Sequence, residues 1–349
     1  MLTELQLRNF RCFEALRVDF APGFNFFVGP NGQGKTSILE GACVLLRLQS
    51  QRSSTLAPLI RLGQKSFGLA GRVEGHLLAF RYSTLRRKLN FDDTEQRSAA
   101  EYLRVARVVS LANTDIELVR GGSEFRRRFL DFLGLQIEPA YRATLRAYER
   151  ALRSRNALLK ASPPNIRALA AYDPPLLEHG QALSAMRAGL VERLIPFVLA
   201  AQQEVSGRNE QAGLSFAPGN GQEFAAELSA SKAQELRLRQ TIVGPHRDDL
   251  TLLVDGMPAA QYGSEGQQRT IALALKIGQA RVFAAQDVPP PLLLIDDIFG
   301  ELDPWRRNRL LQALPADAQK LVTATNLDWQ ENAIKGPRFR LADGVLRPD

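Results

Sequence analysis

Residues 29–36 read GPNGQGKT, after the apolar run FNFFV at 24–28 and leading into TSILEGACVLLRL at 36–48, which carries helical periodicity. Gly29, Gly34, Lys35 and Thr36 match G-x-x-x-x-G-K-[ST] in the strand–turn–helix setting that this spacing requires. Glycine lets successive backbone N–H groups turn toward an anion, and the following helix aims its positive end at the same point. The stretch Gly29, Pro30, Asn31, Gly32, Gln33, Gly34, Lys35, Thr36 and Ser37 is therefore expected to cradle the phosphates of ATP. Lys35 reaches the β- and γ-phosphates as a point charge, and Thr36 offers a hydroxyl to Mg²⁺, which prefers hard oxygen ligands. A chance match in a glycine-rich turn is the bland alternative, and the correct flanking elements argue against it.

Such a loop needs a carboxylate for the metal, normally where a buried strand ends. PLLLIDDIFGELD at 291–303 supplies one: an apolar run leads into Asp296, expected on Mg²⁺, and then Asp297, expected to orient or activate the attacking water. Taken alone, a strand ending in Asp at a turn is commonplace. Just upstream, YGSEGQQRT at 262–270 opens a helix, with Ser264 as its cap and Gly266 permitting close backbone approach. This is either an ordinary N-cap or a second anion site.

With 45 Lys and Arg against 37 Asp and Glu in 349 residues, the net charge is +8, which suits a polyanion partner without demanding one. Two distant cysteines and three histidines argue against a disulfide framework or a zinc site. No apolar run reaches membrane-spanning length, and MLTELQLRNFRCF lacks a signal-peptide core, so a cytoplasmic protein with no membrane partner is expected.

The layout is α/β at both ends with a helical middle. Strands are expected in LTELQLRNF (2–10), residues 23–30, LRVARVVSL (103–111), QTIVGPH (240–246) and PLLLID (291–296), with AQKLVTATN (318–326) as the last. Residues 66–90 and 250–262 read as antiparallel hairpins, the latter turning at Asp255-Gly256. Helical texture from 125 to 208 is broken by SPPN at 162–165 and DPP at 173–175, and APGNGQ at 217–222 is a loop. Domains follow as 1–124 with 240–349, and an inserted, mainly helical lobe at 125–239.

In YRATLRAYERALRSRNALLK (141–160), Arg142, Arg146, Arg150 and Arg153 share one helical face, while Tyr141, Leu145, Tyr148, Leu152 and Leu159 share another. The arginine stripe is a candidate DNA phosphate contact or simply a solvated face. Arg126, Arg127 and Arg128 could brace the fold internally, YSTLRRKLN at 82–90 could meet DNA or adenine, and His246 reads as a structural group.

Together these motifs resemble the ATP-binding cassette (ABC) ATPases, and among them the SMC-like branch of chromosome and repair proteins. The resemblance extends to the RecF family over essentially the whole chain, carried by LRNFRCF (7–13), GPNGQGKTSILE (29–40), GGSEFRRRFLD (121–131), VGPHRDDL (243–250), YGSEGQQRT, LLLIDDIFGELD (292–303) and VTATN (322–326). It implies an ABC-type head, a P-loop sheet plus an antiparallel β-subdomain, with an inserted helical lobe. It also implies that Arg11 reaches a phosphate, that Ser264, Gly266 and Gln267 meet the γ-phosphate held by a partner subunit, and that Asp303 communicates across the dimer. Asp297 stands where many ABC ATPases have Glu, and Thr325 where they have a switch histidine, which implies slow hydrolysis. Asn113 in SLANTD is the candidate for the magnesium-sensing position. The function implied is an ATP-sandwiched homodimer acting as a weakly hydrolysing clamp at single-stranded, gapped or junction DNA, helping RecO and RecR load RecA. The motor subunit of a membrane transporter is the alternative.

Overall fold

The alternation in LTELQLRNF is realised as β1 (Leu2–Phe10), which buries Leu2, Leu5, Leu7 and Phe10. β1 pairs antiparallel with β2 (Phe13–Asp19) and β4 (Ser66–Val73), and the sheet continues through β5 (His76–Ser83), β6 (Arg87–Phe91) and β7 (Thr94–Glu95) in the order β2-β1-β4-β5-β6-β7. Period-two alternation gives it one apolar face, with Leu5, Leu7, Phe67, Leu69 and Phe80 buried, and one face that keeps Gln6, Arg8 and Arg81 exposed.

A second sheet has the order β15-β14-β3-β13-β12-β8, built from β3 (Phe24–Val28), β8 (Val108–Ala112), β12 (Leu292–Asp296), β13 (Lys320–Ala324), β14 (Arg338–Ala342) and β15 (Val345–Pro348). Its inner strands pair in parallel, so they read as unbroken apolar runs; Leu292, Leu293, Leu294 and Ile295 are all buried. Here the separation of the motifs is resolved. β3, which feeds the glycine loop, and β12, which ends at Asp296, both flank β13. Their ends are therefore about 10 Å apart, two strand spacings, at the carboxyl edge where open α/β sheets bind ligands.

The computed structural model describes all residues except 54, 207–209, 222, 287–288, 328–334 and 343. The chain divides into two compact units, Met1–Asp115 with Lys276–Asp349, and Ile116–Leu275. The second exceeds the expected lobe at 125–239, and the reason is a strand that sequence reading missed. β9 (Ala212–Ala217) pairs with β10 (Asp249–Val254), which pairs with β11 (Met257–Pro258), so the 250–262 hairpin joins the helices. The boundary falls inside the helix Glu265–Ala284.

Three further expectations are corrected. QTIVGPH is no strand; it runs into a short 3₁₀ turn, Pro245–Arg247, after Gly244 at φ 127°. AQKLVTATN is not the last strand, because the β14–β15 hairpin follows and β14 pairs beside β3. DPP at 173–175 opens the helix Asp173–Ser206 instead of breaking one, since proline in a first turn surrenders an N–H that has no helical partner there.

The second unit is built on buried ion pairs. The Arg187 guanidinium, 3% exposed, donates to Asp248 Oδ2 (2.9 Å), the Pro245 carbonyl (2.7 Å) and Asp131 Oδ1 (2.8 Å). Arg155, fully buried, donates to Glu235 (2.7 Å), Thr241 (2.8 Å) and Asp173 (3.1 Å). GPHRDD is thus a bracket that ties the helices Ser123–Ile137, Tyr141–Lys160 and Asp173–Ser206 to the hairpin.

His246 belongs to this bracket. Its Nε2 lies 2.9 Å from the Thr241 carbonyl, which requires the proton there, and the Tyr148 hydroxyl lies 2.7 Å from Nδ1. Burial pushes its pKa from 6.5 down to about 4, against the opposing Thr241 hydrogen bond. The unfolded chain therefore binds a proton that the folded chain refuses. Stability is full above about pH 6.5 and falls toward pH 4, by about 2 kcal/mol between pH 6.5 and 5. Urea titrations at both pH values should show the gap between wild type and His246→Gln narrowing in acid; a constant gap contradicts the assignment.

Candidate nucleotide site

The loop leaves β3 and enters the helix Lys35–Arg47 through Gly34, which stands at φ 104°. A Cβ at Gly34 would lie 2.6 Å from Cys12 Sγ and 2.9 Å from the Phe13 ring, so both backbone and space demand glycine. At Gly29 a Cβ would lie 2.2 Å from the Leu341 carbonyl oxygen, so the neighbouring strand β14 fixes that glycine.

Lys35 is 6% exposed, and its ammonium donates to the carbonyls of Gly29 (2.6 Å) and Pro30 (2.9 Å). Asn31 Oδ1 is at 3.5 Å. Burial pushes the Lys35 pKa down, while Asp297 and then Asp296 pull it back up. The charge lies curled inside its own loop, where phosphate oxygens would compete for it.

Opposite, the hydroxyls of Thr36 (2.8 Å) and Thr323 (2.7 Å) both donate to Asp296 Oδ1. Asp297 follows in the left-handed region, φ 53°, a conformation that Asp tolerates better than most residues, and the reversal turns its backbone away from the strand path. Its N–H donates to Thr323 Oγ1 (3.0 Å), its carbonyl accepts from Asn113 Nδ2 (3.1 Å), and Thr325 Oγ1 lies 3.5 Å from its Oδ1. Burial raises the Asp297 pKa most; Lys35 opposes this and Asp296 adds to it. Thr36 and Asp296 form a hard-oxygen pair that fits Mg²⁺, which keeps water on its other positions.

Arg11, also left-handed at φ 53°, makes a two-pronged pair with Glu40 (2.7 and 2.9 Å), and its Nη1 donates to the Pro58 carbonyl at 3.3 Å. The Glu40 hydrogen bond raises its pKa. Glu40 also accepts from Ser50 Oγ at 2.6 Å, which anchors the loop carrying Arg52. Arg11, Asn31, Lys35, Thr36, Arg52, Asp296 and Asp297 all line one cleft of about 700 Å³, which has an apolar wall of Pro58, Ile60 and Leu62. The sequence reading missed Glu40, Ser50, Arg52 and Thr323. For Glu40 the signal was present: a carboxylate within an otherwise apolar stretch of the helix.

In the second unit, Ser264 is the exposed cap of the helix Glu265–Ala284. Ser264 N–H donates to Gln267 Oε1 (2.7 Å), and Gln267 N–H donates to Ser264 Oγ (3.3 Å), a reciprocal capping box. Gln268 Nε2 holds the preceding turn through the carbonyls of Ala259 and Gly263, both within 3.0 Å. The serine tip is therefore rigid and open, with half-buried Gly266 beside it. Asp303 caps the helix Pro304–Ala313, accepting from Arg306 N–H at 2.9 Å.

On the helix Tyr141–Lys160, Arg146, Arg150 and Arg153 are exposed and Arg142 is half-buried, while Tyr141, Tyr148 and Leu159 pack inside. Leu145 and Leu152 are only half-buried, and Arg153 pairs with Glu149 at 3.5 Å. Of the other triplet, Arg126 braces Asp249 (2.6 Å) and Arg127 the Asp248 carbonyl (2.8 Å), whereas Arg128 is exposed. Among the described residues no helix is long and apolar enough to cross a membrane.

The sequence model of the family described as RecF/RecN/SMC N terminal domain matches residues 1–340. The chain is 37% identical to the DNA replication and repair protein RecF of Synechococcus sp. (strain JA-2-3B'a(2-13)), over 93% of this chain and 91% of that one. It superposes on the recombination mediator protein RecF-ATP of the RecFOR pathway with a TM-score of 0.89 and 27% identity, covering 99% of this chain and 97% of the other. An Smc head bound to the C-terminal winged-helix domain of ScpA shares the fold, with a TM-score of 0.57 at 15% identity. With its glycine loop, paired aspartates and capped serine helix all borne on that fold, the chain belongs to the RecF family of SMC-like ABC ATPases.

Proposed function

We propose that this protein is an ATP-dependent DNA-binding component of recombinational repair: a homodimer closed by two shared ATP molecules, acting as a slowly hydrolysing clamp at DNA gaps and assisting the loading of RecA with RecO and RecR. The observation that carries the nucleotide half is the meeting of Thr36, Asp296 and the curled Lys35 in one cleft. Lys35 leaves its loop carbonyls for the β- and γ-phosphates. Arg11, steadied by Glu40, adds a second cation at the cleft wall. Thr36 and Asp296 would hold Mg²⁺, which would supply neutralisation of phosphate charge. Asp297 orients a water and takes its proton, and its side chain, one methylene shorter than Glu, suits slow turnover. Asn113 holds the Asp297 backbone, and Thr325 stands beside its carboxylate. A cytoplasmic location suits this role.

The dimer half of the proposal is supported by the exposed, rigid Ser264 tip, a helix N-terminus aimed outward without a phosphate of its own subunit assigned to it. In the dimer, Ser264, Gly266 and Gln267 meet the γ-phosphate held by the partner, and Asp303 lies along the shared interface. DNA is gripped through the exposed Arg146, Arg150 and Arg153 with Arg142 beside them.

Sedimentation velocity tests the clamp. Wild type should shift from monomer to dimer on adding ATP and Mg²⁺, and Ser264→Arg should remain monomeric while still binding ATP. A Ser264→Arg protein that dimerises like wild type sinks the shared-nucleotide reading.

A further inference from the structure

The antiparallel sheet of the first unit carries a feature that the nucleotide site does not use. Its solvent face holds a shallow trough of about 1080 Å³, whose lining includes five cations, Arg8, Arg17, Arg61, Arg81 and Lys88, and one acid, Glu14. Strand register sets the pattern. Ala15 pairs with Arg8, Arg8 with Gly68, Gly68 with Arg81, and Arg81 with Lys88, so these residues form one straight row across β2, β1, β4, β5 and β6. The next row runs Arg17, Gln6, Ala70, Ala79 and Asn90.

Small residues make the floor. Nothing rises from Gly68, Ala70 and Ala79, and the two arginines flank the glycine directly: a Cβ on Gly68 would lie 3.8 Å from Arg81 Cγ and 4.0 Å from Arg8 Cβ. The rim cations are partly neutralised, Arg17 by Glu4 (3.2 Å), Arg61 by Glu14 (3.4 Å) and Lys88 by Glu95 (2.8 Å). The central pair is not. Arg8 and Arg81 are exposed, and neither forms an ion pair among the described residues.

We infer that this sheet face is a nucleic-acid backbone track, in which Arg8 and Arg81 each contact a DNA phosphate, with Lys88 extending the row. The inference rests on the DNA-binding reading above and adds a surface to it. Charge complementarity selects the occupant. An acidic protein partner would need apolar or aromatic anchors to dock stably, and this face offers alanine and glycine instead. Arg8 and Lys88 lie three strand spacings apart, about 14 Å, which corresponds to about four base steps of rise along a duplex axis at about 3.4 Å each.

The experiment is a salt titration of ATP-bound full-length protein on a fluorescent duplex carrying a single-stranded gap, comparing wild type, Arg8→Glu/Arg81→Glu and Arg8→Lys/Arg81→Lys. Losing two phosphate contacts should flatten the log–log salt slope by about 1.8. Affinity at low salt should fall by about tenfold or more, with ATP binding and thermal midpoint unchanged, and the lysine pair should keep the wild-type slope. If the glutamate pair binds DNA with wild-type affinity and slope, this face belongs to an acidic protein or to solvent, and the track is overturned while the DNA reading stands. Wild type that fails to bind DNA at any salt overturns both.

Discussion

Asp297→Asn should cut ATP turnover by about 10²- to 10⁴-fold while leaving ATP binding intact, the loss typical of removing a general base. Asparagine preserves the shape and tolerates the left-handed backbone at φ 53°. It also leaves the hydrogen bonds from Asn113 and to Thr323, which are made by Asp297 backbone groups, undisturbed. What disappears is the ability to accept a proton. Removing one of two adjacent negative charges also eases binding of a triphosphate, so the ATP-held dimer should persist longer than in wild type.

The pH dependence sharpens the test. Asp297 must be ionised to act, and burial raises its pKa above the ordinary carboxylate value. Turnover should therefore rise with pH through that displaced value, and the asparagine variant should lack this limb. Single-turnover hydrolysis measured across the acid range decides it. An Asp297→Asn protein with a wild-type rate and profile would move the chemistry to another group.

Arg187→Met should destabilise the second unit by about 3–5 kcal/mol, the cost of stranding a buried charge when its partner is removed. Asp248 is completely buried, and among the described residues its carboxylate would keep only its hydrogen bonds from Ser184 and the Gly219 N–H. Asp131 and the Pro245 carbonyl would lose a donor as well. Adding Asp248→Asn should recover part of the loss, because the stranded charge goes with it. Equilibrium urea unfolding measures both; a loss below about 1 kcal/mol in the single variant contradicts the bracket. The same comparison separates stability from chemistry, since Arg187 lines no part of the nucleotide cleft.

Local chemistry made much of the nucleotide site legible in advance. A lysine and two glycines at fixed spacing state their need for close anion approach within eight residues, and an apolar run ending in two aspartates states where a buried strand surfaces. Period-two alternation likewise revealed β1, β4 and β5, and the apolar runs revealed β8 and β12. The failures share a cause. QTIVGPH has the apolar content of a strand but is held as a turn, with the Thr241 carbonyl taken by His246. β9 is a short stretch whose strand identity comes only from pairing with β10. Pairing partners are distant in sequence, so no local pattern could reveal them.

The sequence by itself determined the glycine-rich loop, the aspartate at the end of its buried strand and the serine-capped helix, because each depends on residue type and spacing within a single turn or strand end. Only the tertiary structure decided that Arg11 leans on Glu40, that Thr323 shares Asp296 with Thr36, and that GPHRDD is a buried bracket. It also decided that Arg8 and Arg81 face each other across a glycine. Those relations are set by strand order, register and burial, which are properties of the whole chain folded on itself.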